Sequence, residues 1–218
     1  MSASGTAGRR LACVVSIDKA GDEMRLGEHL GLVFGSLAAA IAVGVPLGLA
    51  AAKSHWLEQP VLIATGLVQT IPSLALLAFL IPVTGSIGLW PALIALFLYA
   101  LLPIARNTHV GLAQVPRGLT EAALALGLRR LEILRAVELP LALPTLLAGI
   151  KTAAIVSVGT ATIAAFVGAG GFGERISQGL ALNDGTILLA GALPAAALAL
   201  VVHGLFEAAE RSLVRAPR

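Results

Sequence analysis

Six charged side chains are gathered between Gly118 and Pro140: Glu121, Arg129, Arg130, Glu132, Arg135 and Glu138. Long apolar runs flank this stretch, so it is the one charged, amphipathic segment set between them. It reads as two short helices. Thr120 is placed to cap the first, because its hydroxyl can take a free N–H of the opening turn. Gly127 suits the stop, since a left-handed C′ position carries no penalty for glycine. Leu128, Leu131 and Leu134 recur at helical spacing in the second piece. That piece is expected to run to about Leu139, where Pro140 lacks the N–H to extend it. The product is a helix–glycine–helix elbow with one apolar and one basic face. Its plainer alternative is a helix pair lying on a membrane surface.

Other reactive residue types are sparse. No Gly-rich loop ending in Gly-Lys-Ser/Thr occurs, so the chain is not expected to cradle nucleotide phosphates in the P-loop manner. His29, His55, His109 and His203 are far apart, and Cys13 is the single cysteine, so neither a metal centre nor an internal disulfide is expected. Leu11-Ala12-Cys13 follows Arg9 and Arg10 without an apolar stretch between them, so neither a lipoprotein site nor a cleaved signal peptide is expected.

The elements that must carry the elbow are membrane spans. Of 218 residues, 57% are hydrophobic and 12% charged, and mean hydropathy is +0.92. That is too apolar for a soluble domain. Residues 1–29 form a tail with four basic and four acidic side chains, disordered at first and then an interfacial helix near Met24–His29. A single domain, 30–213, follows, with spans at about 30–52, 60–82, 89–110, 139–166 and 186–206, a loop at 118–138 and a short tail at 214–218. Gly31, Gly35, Gly44 and Gly48 are expected to let helices approach closely in span one. Val83 to Gly88 supplies the turn between spans two and three, and Trp90 an interfacial indole at the start of span three. Lys151 lies at the water edge if span four starts near Ile150, and inside the span if it starts near Leu139; the early entry is favoured, with Lys151 paired or snorkelling to the cytoplasmic side. The fold class is an all-α integral membrane protein with about five spans.

Positive charge orients it. Lys53, Arg106, Arg117, Arg129, Arg130, Arg135, Arg211, Arg215 and Arg218 share one side, and the loops of the other side hold only Arg175 beside a charge-balanced N-tail. The elbow and C-terminus are therefore expected in the cytoplasm and the N-terminus outside.

Glu121-Ala122-Ala123, three residues, Gly127, nine residues, Val137, one residue and Leu139-Pro140 resemble the EAA loop of ABC-importer permeases, with Val137 where isoleucine is frequent. Within that group, Gln69 to Leu77, Leu96 to Thr108, Glu138 to Pro144, Gly159 to Thr162 and Gly168 to Gly171 resemble the osmoprotectant permeases for glycine betaine, choline and carnitine. The likeness covers about Leu30 to Leu213. It implies a methionine-permease-like type I importer fold. It implies a subunit that is not itself an enzyme, paired with a second permease copy or sister chain in the bacterial inner membrane. An ATPase subunit binding ATP and Mg would dock at Glu121, Ala122, Ala123, Gly127, Val137, Leu139 and Pro140, and an extracytoplasmic binding protein would deliver the cargo. No cofactor is expected in this chain. Gln69, Thr70, Ser73, Ser157, Thr160 and Thr162 are the polar candidates for the path, and Gly168, Gly170, Gly171 and Gly173 for a gate. Both sets have plain structural alternatives: hydroxyls satisfying freed carbonyls, and tight packing.

Aromatics are scattered and amount to 4% of the chain, so no cage for a quaternary ammonium is expected here and high-affinity recognition falls to the binding protein. The alternatives are another small cargo, such as methionine or a sulfonate, and a non-transporting membrane scaffold. A self-sufficient secondary transporter is disfavoured because no carboxylate falls within any expected span.

Overall fold

A computed structural model describes residues 19–214, and every regular element among them is helical. The helices are α1 (Lys19–Lys53), α2 (His55–Thr70), α3 (Ser73–Thr84), α4 (Leu89–Ala113), α5 (Arg117–Ala125), α6 (Arg130–Ile133), α7 (Leu139–Ala164), α8 (Gly173–Leu182) and α9 (Gly185–Val214). A π-helical turn, Leu134–Glu138, joins α6 to α7, and a 3-10 turn, Ala165–Val167, follows α7. The expected disorder of the first residues, Cys13, and the tail from Arg215 onward lie outside the described residues.

Four helices are long and apolar enough to cross a membrane, and the bent pair α2 and α3 passes the same test together, a fifth span if the two count as one. Large apolar side chains such as Leu67, Phe79, Leu200 and Leu205 stand exposed on them. That pattern suits helices whose solvent is lipid.

Two departures concern span limits. No separate interfacial helix exists at Met24–His29, because α1 is continuous from Lys19 and nothing in that stretch breaks it. The expected single span over 60–82 is interrupted at Ile71 and Pro72. The proline disfavours helical backbone at the residue before it, and Ile71 is extended, with φ −76° and ψ 127°.

The chain forms two compact units, and α1, α4, α7 and α9 each contribute residues to both. The first comprises the described residues up to Gly35, with Ser73–Leu96 and Ser157–Val201. Its core holds Leu32, Val33, Leu77, Leu96 and Val158, together with fully buried His29. The second comprises Ser36–Pro72, Phe97–Val156 and the described residues from Val202. Its core holds Leu37, Leu101, Ile104, Leu146 and Ile150.

Small residues set the packing of the second unit. A Cβ on Gly48 would lie 2.5 Å from the Ala105 carbonyl oxygen and 2.6 Å from Thr108 Cβ, and one on Gly44 2.9 Å from Ile104 Cγ2. Gly31 and Gly35 do not share this role: nothing lies within 4 Å of the first, and only Leu93 at 3.8 Å approaches the second. Gly48→Leu is therefore expected to push α1 off α4 at a cost of about 1–3 kcal/mol, while Gly31→Ala is neutral. Thermal unfolding of the two purified variants in detergent measures the contrast.

Candidate functional site

The elbow lies within the second unit. Pro116, extended at φ −58° and ψ 126°, precedes α5. Thr120 is not the cap. It stands inside the first turn and its hydroxyl donates to the Arg117 carbonyl at 2.7 Å, because α5 begins four residues earlier than the capping reading requires, with Pro116 at the N-cap. At the other end Gly127 has φ +87°. Its N–H donates to the Leu124 carbonyl at 2.9 Å, and that of Leu128 to the Ala123 carbonyl at 3.2 Å. These are the paired bonds of a Schellman stop. The Glu132 carboxylate accepts the Arg129 N–H at 2.7 Å, closing the start of α6.

Pro140 does not end the second helix. The helical path from Arg130 continues through Val167. The Leu139 N–H donates to the Leu134 carbonyl, an i to i+5 step. This wider turn lets the chain reach a proline, which donates no bond of its own, and still enter α7. The elbow is thus continuous with the span behind it.

Glu138, in the π turn, is buried, and its carboxylate pairs with the Lys53 ammonium at the end of α1. The pair sits in a groove of about 570 Å³ walled by Leu124, Leu131, Ile133 and Leu134. Ala123 is buried, Val137 and Leu139 are half-buried, and Glu121, Ala122 and Pro140 are exposed. Leu124, Leu126 and Leu131 stand exposed beside exposed Arg129, Arg130 and Arg135. Apolar side chains rimmed by arginine are the composition of a protein-binding surface.

The expected path residues fall in both units. In the second, Gln69 donates from Nε2 to the Tyr99 carbonyl at 2.9 Å, and Thr70 to the Leu67 carbonyl at 2.7 Å. Tyr99 returns its hydroxyl to the Ile71 carbonyl. The single tyrosine of the chain therefore braces the proline break, a role that no sequence pattern signals. In the first unit Thr162 donates to the Gly159 carbonyl at 2.6 Å. Ser73 and Thr160 are half-buried. Ser157 is buried, with no hydrogen-bond partner for its hydroxyl among the described residues.

The expected gate glycines make a turn. Gly168, Gly170 and Gly171 have φ +76°, +80° and +80°. Gly173 is fixed by contact instead, since a Cβ there would stand 1.9 Å from the Thr162 carbonyl oxygen. The stretch after it, left unassigned by the sequence, is helix α8.

Lys151 is inside a helix entered early, as expected, and is paired. Its ammonium lies 2.5 Å from Glu207 and 3.6 Å from Glu210. Both carboxylates are on α9, which continues past the expected limit of span five at Phe206.

Over residues 44–215 the sequence matches the family described as the binding-protein-dependent transport system inner membrane component. The chain belongs to this family. The permease is 44% identical over 184 residues to the osmoprotectant import permease protein OsmW of Salmonella typhimurium, covering 83% of this chain and 86% of that one. It is 40% identical over 189 residues to the glycine betaine/carnitine/choline transport system permease protein OpuCB of Bacillus subtilis, covering 87% of each. Among solved structures it resembles a chain of the inward-facing methionine ABC transporter MetNI, with a TM-score of 0.79, 26% identity, and 88% of this chain and 96% of that chain covered. The expected type I importer permease fold and multi-pass membrane class are thereby borne out.

Proposed function

We propose that this permease forms the membrane pathway of an ATP-driven importer for quaternary-amine osmoprotectants: glycine betaine, choline and carnitine. The observation carrying the cargo class is 40–44% identity to permeases named for these solutes, over more than four-fifths of the chain. The elbow of α5 and α6 is the docking point for an ABC ATPase subunit, which binds ATP and Mg. Glu121, Ala122, Ala123, Gly127, Val137, Leu139 and Pro140 form or position the docked face. A second permease copy or sister subunit completes the pathway, and an extracytoplasmic binding protein delivers cargo. The elbow and C-terminus face the cytoplasm, with the N-terminus outside, an orientation supported by the lysine and arginine bias.

Closure of the ATPase dimer draws the elbows together, opens the path outward, and is reset by hydrolysis. Continuity of α6 with α7 supports transmission of that movement. Gln69, Thr70, Ser73, Ser157, Thr160 and Thr162 contribute polar surface to the path, and the turn of Gly168, Gly170, Gly171 and Gly173 gates it. A weakly polar path suits a cargo with a fixed cation and a hydrophobic methyl shell, whose tight recognition belongs on aromatic faces elsewhere.

A methionine cargo is the second reading, favoured by the MetNI likeness alone, at the lower identity of 26–27%. Uptake of labelled glycine betaine into cells lacking the gene, with and without a plasmid copy, decides between them. Gene-dependent uptake inhibited by choline or carnitine but not by methionine is expected. Uptake of methionine alone would overturn the cargo assignment.

A further inference from the structure

Residues 1–29 precede the family match, which begins at residue 44. Yet the start of α1 meets the glycine turn at successive points, all within the first unit. Arg25, Glu28 and His29 are spaced i, i+3 and i+4 and so share one helix face.

The Glu28 carboxylate accepts the Gly171 N–H at 3.0 Å, across 143 residues of sequence. It packs against bare backbone at Gly170, where a Cβ would come 2.4 Å from Oε2. The Arg25 guanidinium lies 3.5 Å from the Glu174 carboxylate just beyond the turn. The buried His29 ring is 5.2 Å from that of Phe172, and a Cβ on Gly171 would meet its Nδ1 at 3.0 Å.

Three left-handed glycines within four residues form a segment with high intrinsic freedom. What holds such a segment in one shape is contact from outside it. Here one contact is a buried ring that can anchor, and two are polar contacts at partly exposed side chains that can release without burying a bare charge.

We propose that Arg25, Glu28 and His29 are positioning residues that clasp the Gly168–Gly173 turn in its closed form, making the N-terminal end of α1 a working part of the permease. The proposal rests on the reading of this turn as the gate. Ala169 is half-buried inside the turn with ordinary backbone, and so can report on it.

With the single cysteine, Cys13, changed to serine and Ala169→Cys added, maleimide labelling is followed in membrane vesicles holding the assembled transporter. Labelling is compared nucleotide-free and trapped with ATP and vanadate. In the otherwise unaltered transporter, trapping is expected to raise the rate by about fivefold. Glu28→Ala is expected to bring the nucleotide-free rate up to about the trapped one, while Glu28→Gln, which keeps an acceptor oxygen, changes it less than about twofold. Arg25→Glu should raise the rate, and Arg25→Glu with Glu174→Arg should return it. If Glu28→Ala fails to insert, the Arg25 and Glu174 pair decides alone.

Unchanged nucleotide-free labelling in Glu28→Ala and Arg25→Glu would overturn the clasp. A rise in these variants without any response to nucleotide in the parent would leave the clasp standing and remove the gate.

Discussion

Gly127→Pro should abolish transport while leaving the protein inserted in the membrane. Proline fixes φ near −65°, against the +87° found at Gly127, and it deletes the N–H that donates to the Leu124 carbonyl. The Schellman stop then cannot form, and the exit direction of α5 toward α6 is lost. Gly127→Ala isolates the backbone part of the effect, because nothing lies within 4 Å of a Cβ at this position. Left-handed backbone costs an L-residue roughly 1–2 kcal/mol, which converts to about a tenfold loss of the docking-competent elbow. Gly127→Trp carries the same backbone cost plus bulk on the docking face, so it belongs nearer the proline variant. Gly118→Ala is the control: its position is helical and open, and alanine there is neutral or slightly stabilising. Uptake normalised to permease in the membrane, with ATPase activity of the purified complex, gives the ranking. Equal transport by the Gly118 and Gly127 variants would remove the elbow from the mechanism.

The second large effect concerns the Lys53–Glu138 pair, and it is asymmetric. The Glu138 side chain is 11% exposed and that of Lys53 51% exposed. Lys53→Met strands a carboxylate inside the π turn, whereas Glu138→Gln leaves an ammonium that water can reach. Breaking a fully buried pair costs about 3–5 kcal/mol; with one partner half in solvent, about 1–3 kcal/mol is expected for Lys53→Met and less for Glu138→Gln. Lys53→Met with Glu138→Leu should recover much of the loss, since the groove walls are leucine and isoleucine. A double-mutant cycle on thermal stability in detergent measures the coupling. Because this pair ties the root of the elbow to the end of α1, ATPase stimulation by cargo-loaded binding protein should fall in Lys53→Met even where protein remains folded. Equal losses in the two single variants would contradict the burial argument.

Legibility followed physical range. The Gly127 stop could be read because the signal is local: one residue type tolerates that backbone, and the charges around it show which side meets water. Lys151 was readable in part for a related reason, since a lone ammonium in an apolar helix must find a carboxylate or the surface; which of the two, and whether the helix starts near Leu139 or Ile150, depends on Glu207 and Glu210 far along the chain. Pro140 misled because a proline within a helix is usually a stop. The π turn that accommodates it is cooperative over Leu134–Glu138 and leaves no composition signal. Thr120 misled because capping depends on where a helix begins, which Pro116 sets. The break at Ile71 was available in Pro72, but the apolar run around it looked long enough to continue. Tyr99 and Glu28 were invisible for another reason. Each acts on a backbone group far along the chain, Tyr99 on Ile71 and Glu28 on Gly171, and no periodicity encodes such a pairing.

The most direct test of the account is cargo accumulation in proteoliposomes holding this permease with its ATPase, with the binding protein in the outer compartment. Labelled glycine betaine should accumulate only when ATP is enclosed, and Gly127→Pro should eliminate accumulation while ATP binding to the ATPase subunit persists. Accumulation without ATP, or undiminished by Gly127→Pro, would contradict an importer driven through the α5–α6 elbow.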